Sequence, residues 1–460
     1  MANQTLLDYY RLPEQMLREA FSTSATGSEE AGFFRFGENA VCYGRCRSGV
    51  AASVADSHRF DALKDVIRRD ATIDLPFDFT EVIDNLRLER YAKSSIPKQQ
   101  GLVASAPVRR IYYLVREFLP VSVRRHLQRA YFRGWDELPF PSWPVDFTVD
   151  LLHEKYLRLL MGLHGTDRIP FIWFWPDSAQ NCLIMTHDVE TTVGRDFVGQ
   201  LMDLDDRYGL KASFQIVPEK RYAVSKEFIS RIKDRGFEVN VHDLNHDGNL
   251  YESRELFAQR ALRINEYARE FGSLGFRAGV MYRNLEWYGD YQFSYDMSVP
   301  NVAHLEPQRG GCCTAFPYFI GKILEIPLTT SQDYSIFNIL NDYSIDLWKK
   351  QLVMLQKRNA LMSFITHPDY LIDRRPRKVY EALLDHLRQM VERHKIWTAL
   401  PKDLDRWWRA RSQMKLTRKA EGWQIEGPEA DRASIAFAVA DGDGIAYEFA
   451  GARDHEGVHG

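Results

Sequence analysis

Three patterns of hydrophobic and polar positions divide the chain. Residues 1–175 open on a mixed stretch bearing Ser, Gly and Ala and continue into a helix-rich, basic and aromatic segment. Over residues 176–412 the pattern becomes that of an α/β domain. Cys182-Leu-Ile-Met-Thr186 predicts a strand, the stretch after it through Tyr208 predicts a helix, and the alternation in Gly236-Phe-Glu-Val-Asn-Val-His242 predicts a later strand of the same sheet. Past Leu400, Trp407-Trp408-Arg-Ala-Arg411 reads as the end of a helix. Four runs then alternate like short antiparallel strands joined by Gly and Asp turns, starting at Met414, Gly422, Ala433 and Gly444. Residues 413–460 are therefore expected to form a small β appendage with a polar tail, whose two histidines read as disordered rather than metal-binding.

Polar clusters stand at the predicted strand ends. The first strand runs into Thr186-His187-Asp188-Val189-Glu190, and the later one into His242-Asp-Leu-Asn-His246. Active sites of parallel α/β folds open at the carboxyl ends of strands. Histidines four apart chelate one ion when the turn between them is helical or tight, and a carboxylate from a neighbouring strand completes three protein ligands with a position left for water. A lone histidine pair at this spacing is more often accidental. Two separate polar clusters at strand ends are harder to explain as core filling.

The order of these motifs, with two later ones, resembles the NodB-homology polysaccharide deacetylases, also called carbohydrate esterase family four. The later motifs are Gly275-Phe-Arg277-Ala-Gly279 and Ile365-Thr-His367-Pro368, while Lys211–Val217 and Phe293–Ser298 resemble the family's second and fifth strands. The resemblance covers about half the chain and implies a distorted β/α barrel. It also implies a metal-dependent hydrolase that removes an N-acyl group, acetyl above all, from an amino sugar. His242 and His246 then bind a divalent ion, Zn first and Co, Ni or Mn otherwise, and Arg277 orients the catalytic base. His367 protonates the leaving amine, and Asp333 in Thr330-Ser-Gln-Asp333 is the candidate carboxylate that tunes it.

The acidic motif departs from the family's adjacent aspartates, so the match by itself leaves ligand and base open between Asp188 and Glu190. Residues two apart on a strand face the same side. Both carboxylates are thus expected in the pocket with Val189 behind them, and we assign Glu190 to the metal and Asp188 to the base. The second departure is Asp243, where the family favours Ser or Thr. Two other classes remain in view: a catalytically silent carbohydrate-binding or scaffold protein, and a metallo-amidohydrolase of non-sugar substrates.

Composition narrows the setting. A 460-residue chain with 45% hydrophobic and 13% aromatic residues is expected to fold into two or three domains. Its net charge of −3 carries no nucleic-acid signal. Cys42, Cys46, Cys182, Cys312 and Cys313 form no zinc pattern, and their odd count favours a reducing compartment. No secretory leader and no membrane span is legible, so a cytoplasmic location is expected, with an N-acylated saccharide that is soluble, nucleotide-linked or lipid-linked as substrate. From Arg109 to Trp135, seven arginines interleave with aromatic residues. That segment reads either as an amphipathic helix pair broken at Pro120 or as a contact for a phosphate-bearing substrate or the inner membrane face. The run Pro-Phe-Pro-Ser-Trp-Pro at 139–144 ends it and is expected to wrap the barrel.

Overall fold

The computed structural model describes residues 2–23, 30–47, 59–95, 131–420 and 422–450. Two compact units result. One gathers Met1–Ser95, Phe147–Ala179 and Arg406–Gly460, and the other Ile96–Asp146 and Gln180–Asp405.

In the first unit, strand Arg168–Ile172 pairs antiparallel with Ile435–Asp441, which pairs in turn with Gly444–Phe449. The strands predicted near the carboxyl terminus therefore form, and one of them completes a sheet begun before residue 176. Lys415–Lys419 and Gly422–Glu426 make a separate hairpin. Arg411, almost fully buried, donates to the carbonyls of Tyr9, Ile172 and Trp173. Satisfying carbonyls is how a buried guanidinium offsets its desolvation. The amino-terminal part of the unit contributes the helices Ala2–Tyr10, Phe79–Arg87 and Thr148–His164 with several short strands.

The second unit is built on one curled sheet. Its strands are β1 (Asn181–Val189), β2 (Ala212–Ile216), β3 (Glu238–His242), β4 (Gly275–Arg277), β5 (Tyr295–Asp296), β6 (Tyr318–Ile320), β7 (Ile323–Glu325), β8 (Leu361–Thr366) and β9 (Ile396–Thr398). The order is β6-β7-β5-β4-β3-β2-β1-β8, with β9 on the first residues of β1. Every pairing is parallel except β6 with β7. All nine residues of β1 are buried, as a central parallel strand covered on both faces requires.

Helices return the chain between parallel strands: α1 (Thr192–Arg207), α2 (Lys226–Asp234), α3 (Arg254–Phe271), α4 (Asp346–Lys357) and α5 (Arg374–Arg393). Thr191, Ser225 and Ser253 cap the first three by accepting from Gly194, Phe228 and Leu256 N–H groups. The gap between β7 and β8 is bridged without a strand ladder. Thr329 and Thr330 hydroxyls donate to the Leu361 and Ser363 carbonyls, while Ser363 N–H donates to Thr329 Oγ1. Side-chain closure of this kind makes the barrel distorted.

The proline-rich run packs on this barrel: Pro141 O accepts from His304 Nε2, Pro144 O accepts from Gln351, and Trp143 stacks on His304. Arg109, Arg110, Arg116, Arg124, Arg125 and Arg129 lie outside the described residues, as do the tail histidines. At the end of that segment Phe132 is buried with Leu305 and Ile339. All five cysteines are buried and none is in a disulfide. Among the described residues no helix is long and apolar enough to cross a membrane.

Candidate metal and catalytic centre

Strand alternation sorts the acidic motif. His187 and Asp188 are successive residues of β1 and point to opposite faces. His187 meets Thr366 Oγ1 at 2.8 Å and Asp205 of α1 at 2.9 Å, a buried structural network that Tyr380 completes. Thr186, Asp188 and Glu190 take the other face, and Val189 is fully buried behind them.

On that face Glu190, His242 and His246 bring ligand atoms within 4.8 Å of one another. Glu190 Oε1 lies 2.9 Å from His246 Nε2 and 3.6 Å from His242 Nε2. His242 closes β3, and its Nδ1 donates to the Arg277 carbonyl at 3.1 Å, which leaves Nε2 as a bare acceptor facing the centre. The residues between the histidines form a tight turn rather than a helix. Asp243 and His246 have φ of 55° and 53°, left-handed conformations that non-glycine residues hold only when their surroundings impose them. Gly279, in the loop just past Arg277, leaves the space for this turn. A Cβ there would stand 2.5 Å from Asp243 Oδ2 and 3.0 Å from His246 Cδ2.

The donors fit a divalent first-row ion. Among the described residues His242 Nε2 and His246 Nε2 are buried and engage no group other than carboxylates, that of Glu190 lying 2.9 Å from His246. Burial would raise the Glu190 carboxyl, yet His246, aided by His242 and His367, holds it well below the usual carboxylate range. Two imidazoles and an ionised carboxylate form a common three-ligand set for a catalytic ion.

Two buried ion pairs flank this trio. Arg277, on β4, reaches Asp188 Oδ1 and Thr186 Oγ1, each at 2.7 Å, while Thr186 donates to Phe364 O of β8. Burial would raise Asp188, but the Arg277 guanidinium keeps it below its ordinary value. Its Oδ2 lies 3.7 Å from His242 Nε2. On the second side, β8 ends at Thr366 and hands His367 to the pocket. Asp333 grips it twice, with Oδ2 accepting from the backbone N–H and Oδ1 meeting Nδ1, both at 2.7 Å. Burial alone would lower His367, but the Asp333 carboxylate raises it well above the usual histidine range. His367 Nε2 then faces Glu190 Oε1 at 3.5 Å.

All seven residues singled out in the sequence thus meet in one pocket. Others had no distinguishing signal. Arg221, in the loop after β2, points NH2 at His246 Nδ1 from 3.4 Å, and Tyr222 beside it donates to Val189 O. Asp243 does not act as a hydroxyl would: Oδ1 accepts from Leu244 N–H, and Oδ2 is buried without a partner.

Solved structures similar to about half of the chain include polysaccharide deacetylases. The chain is similar to them in fold. A protein of Mycobacterium smegmatis described as a polysaccharide deacetylase is 17% identical over 54% of this chain and 97% of its own, with a TM-score of 0.42. The Puue allantoinase is 13% identical over 51% of this chain and 92% of its own, with a TM-score of 0.38. A family 4 acetyl xylan esterase from Clostridium thermocellum, solved with a cobalt ion, is 12% identical over 49% and 91%, with a TM-score of 0.34. No family model and no curated protein matches the chain.

Proposed function

We propose that the chain is a metal-dependent N-deacetylase of an N-acylated amino sugar, with Glu190, His242 and His246 as metal ligands. The observation that carries this reading is the convergence of that trio with Asp188 on one side and His367 on the other. When bound, a divalent ion, zinc foremost, supplies Lewis acidity that polarises the acyl oxygen and eases deprotonation of the attacking water.

The protein's own groups divide the proton work. Asp188, kept ionised by Arg277, accepts the proton of the attacking water. Thr186 and the Met297 carbonyl hold the guanidinium in place, so the base is aimed before substrate arrives. His367 delivers a proton to the departing nitrogen, which otherwise would leave as an amide anion. Asp333 orients the ring through Nδ1 and leaves Nε2 toward the pocket. A silent binding protein has no need of a base and an acid each held by its own buried counter-ion.

The test is metal analysis of the purified protein, followed by acetate release from a panel of soluble, nucleotide-linked and lipid-linked N-acetyl sugars with Zn, Co, Ni and Mn. Release that depends on the metal and on Asp188 supports the reading. Bound metal with turnover confined to non-sugar amides would replace it with a metallo-amidohydrolase.

A further inference from the structure

A cavity of 790 Å³ opens between the N-terminal ends of α4 and α5, lined by Tyr343, Ser344 and Asp346 on one side and Arg374, Arg375 and Lys378 on the other. Both helix ends stand at the catalytic end of the sheet. Helix α5 leaves the carboxyl end of β8 just after His367, and α4 starts at that same end and runs back to enter β8. The groove therefore opens at the same end of the sheet as His367.

Its charge is unbalanced. Three cations face the single carboxylate of Asp346. Helix α5 opens Arg374-Arg375-Pro376-Arg377-Lys378 with no acid in its first turn, and Asp373 before it makes no side-chain cap. Cations at this end oppose the helix dipole, so the helix itself gains nothing from them. Arg377 is occupied, donating to the carbonyls of Leu371 and Ile372. Arg374, Arg375 and Lys378 pair with no carboxylate among the described residues and are exposed. Arg375 is nonetheless held: its guanidinium lies 3.7 Å over the Tyr343 ring, which stacks on Phe337. A guanidinium fixed by its face presents its N–H edge, the geometry that binds phosphoryl oxygens in pairs.

We infer that this groove takes a phosphoryl group, phosphate or pyrophosphate, carried by the saccharide that is deacetylated; the substrate part of the inference rests on the function proposed above. The full-length protein is titrated with inorganic phosphate, with its metal and after chelation, beside the triple variant Arg374→Gln, Arg375→Gln, Lys378→Gln. Chelation separates binding at the metal from binding in the groove. The three side chains are exposed, so the variant keeps its fold, its metal content and its turnover of a neutral N-acetyl sugar. The expected result is about tenfold weaker phosphate binding, with a matching rise in KM for an N-acetyl sugar 1-phosphate and none for the neutral sugar. A nucleotide-linked sugar and a lipid pyrophosphate-linked sugar in neutral vesicles distinguish the carrier, and a raised KM for either supports the groove. Phosphate affinity that is absent in the wild type, or unchanged in the variant, overturns the inference. A wild type that binds phosphate here but hydrolyses no N-acetyl sugar would leave the groove standing and sink the proposed function.

Discussion

The Arg277 carbonyl accepts from Nδ1 of His242 at 3.1 Å, while the guanidinium of the same residue holds Asp188 at 2.7 Å. One residue thus sets both the tautomer of a candidate ligand and the charge of the candidate base. In the proposed function this would couple metal binding to catalysis through a short strand, β4.

Replacing His242 or His246 by Ala removes an N donor from a three-ligand set and should abolish metal binding in a folded protein. Elemental analysis of both variants is the check; occupancy near that of the wild type would remove them from the ligand set.

The two carboxylates should separate cleanly. Asp188→Asn is expected to keep its metal and lose turnover by ~10²–10⁴-fold, the usual worth of a general base. Glu190→Gln should lose both. Should Asp188→Asn instead lose its metal and Glu190→Gln keep it, the roles are exchanged.

His367→Ala should depress hydrolysis of amides far more than that of activated esters, whose leaving groups need little protonation. Asp333 raises the His367 pKa. In Asp333→Asn that support is gone, so the acid form is lost at lower pH and the alkaline limb of the kcat profile moves down. An alkaline limb that stays put would mean that another group sets it.

Gly279→Ala tests the packing under the histidine turn. The added Cβ would meet Asp243 Oδ2 at 2.5 Å and His246 Cδ2 at 3.0 Å. We expect a loss of ~1–3 kcal/mol in stability, as for other overpacked sites, together with weaker metal retention during dialysis against a chelator. Unchanged unfolding midpoint and retention would show that the turn gives way freely.

Glu238, on β3, is pushed by burial up to about 7, with Tyr295 bonded to it. Because the folded value is raised, its contribution to stability is complete below the unfolded carboxyl value and is lost as pH rises through about 7. Glu238→Gln carries no such proton and should lose less stability than the wild type between about pH 5 and 8, measured by denaturant unfolding. Parallel curves would assign the raised value to no thermodynamic role.

Much of the barrel was legible in the chain because its signals are local. Apolar runs and alternation mark β1 and β3, and the period of two already places Asp188 and Glu190 on one face. The candidate ligand pair His242 and His246 was likewise within one short segment. Partners distant along the chain depended on the fold. Asp333 finds His367 34 residues away, Arg277 finds Asp188 89 residues away, and Thr329 and Thr330 close the barrel onto β8. Strand Arg168–Ile172 finds Ile435–Asp441 across most of the chain, and Arg221 arrives at His246 from a loop without regular pattern. Local propensity depends on neighbours within a few residues, whereas these contacts form only once β-strand register and burial have brought remote segments together. The kinds of residues at the strand ends are therefore written in the chain, and which of them touch follows from long-range pairing.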